Sequence, residues 1–222
     1  MNNEDIIKNI EQLNEKYLKN NLQGTKKEQL YFKIIKGNKP IILSAPHAVR
    51  QNSPDKIKAA EKYTGAIVEY LCKKTGAYGI VRTANLGDNP NSENEGYGLK
   101  YKNAISQLIK ENDIKCLIDF HGCKDTYGFD FDIGTSNKEN INNKENYLKI
   151  IKTNLEKIGK VTIDERFRAN REVVISNYIS RNNKIACFQI EISKKLRESN
   201  QELIKLLYQL EVMIKNLYNE IS

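Results

Sequence analysis

Apolar residues at Ile6, Ile10, Leu13 and Tyr17 recur at helical spacing, which predicts an amphipathic helix broken by Asn20-Asn21 and Gly24. Two short apolar runs follow, Leu30 to Ile35 and Ile41 to Ser44, separated by Gly37-Asn38, the composition of a tight turn between strands. From Lys56 to Lys73 the stripe Ile57, Ala60, Thr64, Ile67, Val68 and Leu71 predicts a helix, and Gly79 to Thr83 predicts a strand. Ala84 to Gly98 has no apolar period and is rich in Gly, Asn and Asp. It is much longer than the roughly 4 to 6 residues of an ordinary connection, as expected of a binding rim.

Beyond that loop, Ala104, Ile105, Leu108 and Ile109 mark a helix from about Leu99 to Glu111, and Cys116 to Phe120 reads as a buried strand ending at His121-Gly122. Tyr127, Phe129, Phe131 and Ile133 alternate with small or acidic residues, the period of another strand. A helix through Tyr147, Ile150, Ile151, Leu155 and Ile158, closed by Gly159, precedes a strand at Val161 to Asp164. Next come a helix at Arg171 to Ile179, a last strand at Ile185 to Ile192, and a long helix with Leu203, Leu206, Leu207, Leu210, Ile214 and Leu217 inward. Helices separating apolar strands imply an α/β fold whose mostly parallel or mixed central sheet is covered on both faces. In such sheets ligands bind beyond the carboxyl ends of the strands.

The length of 222 residues favours one domain, 1–222, with 1–29 as an N-terminal helical extension. The net charge of +8 comes from 36 basic and 28 acidic residues spread along the chain without a block of like charge, which argues for solvated helix faces and against nucleic acid as a partner. A small anionic substrate suits the same balance. No apolar run approaches the roughly 18 residues of a membrane span, and the N-terminus lacks the basic start and apolar stretch of a secretory signal, so a cytoplasmic location is expected. Cys72, Cys116, Cys123 and Cys187 show no CxxC spacing, and reduced thiols are expected.

The chain has two histidines, His47 and His121, and each directly follows an apolar strand. Two imidazoles and one carboxylate make a catalytic zinc site; the alternative is a hydrogen-bonded histidine pair at a sheet edge. Glu61 is the candidate third ligand, because the predicted helical stripe turns it inward, where a metal would compensate its charge. Asp119 shares strand parity with His121 and is expected either to orient that imidazole or to sit in water. Glu191 interrupts the apolar strand Phe188-Gln189-Ile190-Glu191-Ile192 and suits a general base, or else a salt bridge. Arg82, at a strand end, and Arg166, Arg168 and Arg171, before a helix, are candidates for holding a substrate carboxylate. Asp130 and Asp132 share a strand face and are explained as readily by solvent as by metal. Cys123 lies too close in sequence to His121 to establish a nucleophilic pair.

The ordered strings Ser44-Ala45-Pro46-His47, Glu61-Lys62-Tyr63-Thr64, Leu117-Ile118-Asp119-Phe120-His121-Gly122 and Phe188-Gln189-Ile190-Glu191-Ile192 resemble the N-formylglutamate amidohydrolase superfamily, over roughly Ile41 to Ile192. That resemblance implies a phosphorylase/hydrolase-like fold related to zinc carboxypeptidases and poly-γ-glutamate hydrolases. It implies a zinc ion on His47, Glu61 and His121, and Glu191 as the catalytic glutamate. Arg82, Asp88 and Asn91 then fall where the family has an arginine-bearing strand and a substrate-binding loop. The zinc N-acetylmuramoyl-L-alanine amidases are similar in the order of these residues and offer a second expectation. A non-catalytic module binding an anion or nucleic acid is a third.

Overall fold

The computed structural model of the protein describes residues 2–25, 27–53 and 56–222. The first helix, α1 (Asn3–Leu22), starts on the side chain of Asn2, which accepts from the Asp5 amide at 2.8 Å. It kinks where Asn20 and Asn21 take left-handed φ of 51° and 57°, a conformation asparagine tolerates better than most residues. The strands β1 (Phe32–Ile35), β2 (Lys39–Ala45), β5 (Ala77–Arg82), β6 (Cys116–Cys123), β7 (Phe131–Gly134), β8 (Val161–Ile163) and β9 (Ala186–Ser193) form one mixed sheet. Its order is β1-β5-β2-β6-β9-β7-β8. β5, β2, β6 and β9 run parallel, while β1 and β7 pair antiparallel with β5 and β9. A small hairpin, β3 (Gln51–Ser53) and β4 (Lys56–Lys58), stands apart.

Two apolar layers sandwich the sheet. On one face α1, α2 (Thr64–Thr75), α4 (Glu145–Leu155) and α7 (Asn200–Ile221) pack on Ile41, Leu43, Ile118, Phe120, Phe188 and Ile190. On the other, α3 (Gly96–Asn112) and α5 (Ile175–Asn183) pack on Ile42, Ile80, Leu117 and Cys187. Each such side chain contributes about 1.5–3 kcal/mol by leaving water. The expected α/β sheet with helices on both faces is present. No helix among the described residues is long and apolar enough to cross a membrane.

Several boundaries differ from the sequence pattern. Gly37-Asn38 does not close a hairpin: β5 lies between β1 and β2, and the turn straddles its start, with the Asn38 and Lys39 amides donating to Gly76 O. The stripe from Lys56 to Lys73 is not one helix, because β4 occupies its beginning and Tyr63, at φ 69°, bars helical geometry before Thr64. The alternation from Tyr127 yields a strand only from Phe131, because Gly128 turns left-handed at φ 79°. The helix expected at Arg171 to Ile179 begins at Ile175. Its start is fixed by the Ile175 amide donating to Asn91 Oδ1, while further upstream the buried Asp132 carboxylate accepts from the amides of Glu165, Arg166 and Phe167 and from Thr162 Oγ1.

The topology also places the site. From β2 the chain passes through α2 to β5 on one side, then through α3 to β6 on the other. The crevice between the carboxyl ends of β2 and β6 is therefore the switch point at which open α/β sheets bind ligands.

Candidate active site

His47 stands two residues beyond β2 and His121 near the end of β6, so neighbouring strands deliver the two imidazoles to that crevice. Glu61 arrives from the irregular segment before α2, held by its amide donating to His47 O at 2.9 Å and by Thr64 Oγ1 donating to Glu61 O at 2.7 Å. Its inward direction thus comes from this loop, not from a helical stripe.

The three side chains converge. Nδ1 of His47 lies 2.8 Å from Glu61 Oε1, Nδ1 of His121 lies 3.2 Å from Glu61 Oε2, and the two Nδ1 atoms are 3.1 Å apart. A four-coordinate metal with bonds of about 2.0–2.1 Å sets its donors about 3.3 Å from one another, so this spacing fits a shared ion. The opposite ring nitrogens are already engaged: His47 Nε2 with Asn89 Oδ1 and His121 Nε2 with Asp119 Oδ2, each at 3.0 Å. Both acceptors demand a proton on Nε2, which leaves the Nδ1 lone pairs and a carboxylate facing one point. Among the described residues this is the one cluster that could hold a metal ion.

Electrostatics agree with that arrangement. Burial lowers the proton affinity of His121, 1% exposed, but the Asp119 and Glu61 carboxylates outweigh it and raise the imidazole well above its ordinary range. Burial would raise Glu61, and the two histidines instead hold it well below the usual carboxylate range. A positive charge between the imidazoles and the carboxylate is thus favoured, as a proton or as a cation.

Glu191 is paired in register with His121 across β6 and β9 and with Asp132 across β7, so the three side chains share a row. It is 5% exposed and lines the same cleft. Burial first, with Glu61 and Asp132 adding and His121 and Arg197 opposing, pushes its carboxyl up to about 8. The cleft has a volume of about 760 Å³ and a rim rich in cations, among them Lys58, Lys62, Arg166, Arg168 and Arg171. Arg166 rests on the Tyr127 ring at 4.2 Å, and Arg168 Nε donates to Asp164 O.

The structure brings His47, Glu61, His121, Asp119 and Glu191 together and sets Arg168, Arg171 and Asn91 on the cleft wall. Asn91 also accepts from the Ile175 amide at 2.8 Å, fixing the start of α5. Arg82 and Asp88 do not face the cleft. Arg82 is fully buried, paired with Asp88 at 2.6 Å, and donates to Pro46 O and Arg50 O. It grips the turn that carries His47, so a substrate carboxylate cannot reach it. Asp130, expected to share the fate of Asp132, instead pairs with Lys195 at 2.7 Å.

Two participants had no signal of their own in the sequence. Asn89 is one of several asparagines in the loop before α3, and only the fold turns it to His47. Arg197, on the short helix α6 (Lys194–Glu198), reads as a solvated basic residue. It is nonetheless buried, donates to the carbonyls of Ile192, Lys62 and Cys123, and lines the cleft. A clue was available in Gly122: a Cβ there would lie 2.5 Å from Arg197 Cζ, so the glycine after His121 makes room for the guanidinium.

Neither a protein-family model nor a curated protein sequence matches the chain. Solved structures do. The gene product Atu2144 from Agrobacterium tumefaciens is similar with TM-score 0.68 at 11% identity, over 86% of this chain and 95% of that one. N-formylglutamate amidohydrolase from Ralstonia eutropha has TM-score 0.61 at 12% identity, over 86% and 99%. A bacteriophage poly-γ-glutamate hydrolase has TM-score 0.56 at 17% identity, over 87% and 93%. At these identities the likeness is one of fold, and it is the fold that the resemblance in the sequence implied.

Proposed function

We propose that the protein is a zinc-dependent hydrolase cleaving an amide bond next to a carboxylate, in an N-acyl amino acid of the N-formylglutamate type or in a γ-glutamyl link. The observation that carries this reading is the meeting of two Nδ1 atoms and the Glu61 carboxylate at metal-ligand spacing, with both Nε2 atoms already tied back to Asn89 and Asp119. Two imidazoles, one carboxylate and an open cleft suit a catalytic zinc. The names of two solved structures with this fold, an N-formylglutamate amidohydrolase and a poly-γ-glutamate hydrolase, agree with the substrate class.

Zinc held there supplies a Lewis acid for the scissile carbonyl and lowers the pKa of a water toward about 7. The rest of the chemistry belongs to the chain. Glu191, beside His121, takes a proton on its carboxylate as water attacks and delivers it to the leaving nitrogen; a carboxyl raised by burial suits both steps. Asp119 and Asn89 keep the imidazoles in the ligating tautomer. Arg168 and Arg171 at the rim, with Arg166 held on Tyr127, receive the substrate carboxylate. A cleft of about 760 Å³ also accommodates a γ-glutamyl chain longer than one residue.

The test combines metal analysis with a panel of N-acyl amino acids and γ-glutamyl peptides. About one zinc per chain is expected, with hydrolysis that a chelator abolishes and zinc restores. Glu191→Gln should keep the zinc and lose about 10²- to 10⁴-fold in turnover. Zinc content unaffected by His47→Ala and His121→Ala, or no zinc uptake by the wild type, overturns the reading.

A further inference from the structure

The floor of the cleft holds a polar side chain that the chemistry above does not use. Gln189 precedes Glu191 by two residues on β9, opposite Asp119 of β6 and Gly134 of β7, so it leaves the sheet on the face that carries His121 and Glu191. It lines the cleft and is only 5% exposed. Its Nε2 donates to Glu191 Oε1 at 3.0 Å, whereas its Oε1 is buried and has no hydrogen-bond partner among the described residues. Buried carbonyl oxygens almost always have a partner. As the base, Glu191 starts each turnover as a carboxylate, and toward a carboxylate the amide must turn Nε2, which leaves Oε1 toward the cleft.

We infer that Gln189 Oε1 accepts the N–H of the scissile amide, so that the site selects secondary amides over esters and over tertiary amides. This inference rests on the hydrolase reading. The leaving nitrogen must approach Glu191 to receive its proton, and Gln189 is bonded to that same carboxylate. Its unpaired oxygen therefore stands beside the nitrogen's position. A simple N-acyl amino acid carries one amide N–H, at the bond to be cut, while the matching ester has none. A buried acceptor left empty by the ester discriminates against it, as sites built around a hydrogen bond do. The same side chain fixes Glu191 through Nε2, so one amide both orients the base and reads the substrate.

The experiment compares zinc-loaded wild type, Gln189→Met and Gln189→Glu on an N-acyl amino acid and on its ester counterpart with oxygen in place of N–H. Zinc content and thermal unfolding are recorded for each protein. Gln189→Met should lower kcat/KM for the amide about 10- to 100-fold more than for the ester, with zinc retained. Gln189→Glu keeps an acceptor toward the cleft but loses the donor toward Glu191, so it should slow both substrates alike and leave their ratio near the wild-type value. An unchanged amide-to-ester ratio in Gln189→Met overturns the inference while the hydrolase stands. If Gln189→Met does not fold, a ratio shifted tenfold in Gln189→Glu overturns it and an unshifted one supports it. Wild type that turns over neither substrate removes the hydrolase reading, and this inference with it.

Discussion

Replacing Asn89 with alanine tests how far the proposed metal site extends beyond its ligands. The Asn89 Oδ1 atom serves His47 Nε2 at 3.0 Å and the Asn91 amide at 3.1 Å. Without it, His47 is still carried by the turn that Arg82 grips, but its ring is free to rotate and to exchange tautomers. Losing the partner of a ligating histidine typically weakens metal binding by about 10- to 100-fold, or about 1.4–2.8 kcal/mol. The bond to Asn91 acts on the loop, so its loss adds about 1 kcal/mol to the destabilisation of the metal-free chain and nothing to binding. With zinc at a hundred times the wild-type Kd, binding stabilises wild type by about 2.7 kcal/mol, whereas a variant weakened a hundredfold gains only about 0.4 kcal/mol. For a chain of this size the difference is roughly 5–9 °C in zinc-induced Tm shift. Competition against a zinc-chelating dye gives the affinity directly, and Asn89→Asp, which keeps an acceptor, should bind at least as tightly as wild type. Folded Asn89→Ala with wild-type affinity would show that His47 is oriented by its turn alone.

Two further outcomes follow from the site's surroundings. In the metal-free chain Glu191 is raised from 4.5 to about 8 by burial above all, so the folded state keeps a proton that the unfolded state releases. This contribution to stability is whole below about pH 4.5 and is lost as pH rises through about 8; the denaturation midpoint of chelator-treated wild type should fall across that window relative to Glu191→Gln, and parallel curves would refute the assignment. A Cβ at Gly134 would lie 2.2 Å from Phe167 O, in the segment that Asp132 pins below Arg166 and Arg168. Gly134→Ala should therefore cost about 1–3 kcal/mol and raise KM for an anionic substrate several-fold with zinc content intact; an unchanged KM in steady-state kinetics would show that the segment does not position the rim.

The chemistry-bearing residues were the most legible part of the chain. His47 and His121 stood out because each follows an apolar strand, and Glu191 because a carboxylate inside such a strand is costly without a purpose. Helical spacing points Glu61 inward, but no helix exists there. The stripe Ile57, Ala60, Thr64 happened to share helical spacing, while Ile57 is exposed on a hairpin and the true helix begins at Thr64. Strand position alone places Arg82, at the end of β5, with the substrate. Its burial under the His47 turn is a matter of packing that strand position does not encode.

Periodicity alone determined that this chain builds an α/β sheet with its two histidines at one edge, because burial imposes periods of about 2 and 3.6 residues that survive in any surroundings. Which strands became neighbours, which asparagine reached His47 and which arginine lay over Gly122 were decided only by the tertiary structure. Those contacts join segments far apart in the chain, and each depends on pairing order and close packing, for which an individual polar residue carries no local mark.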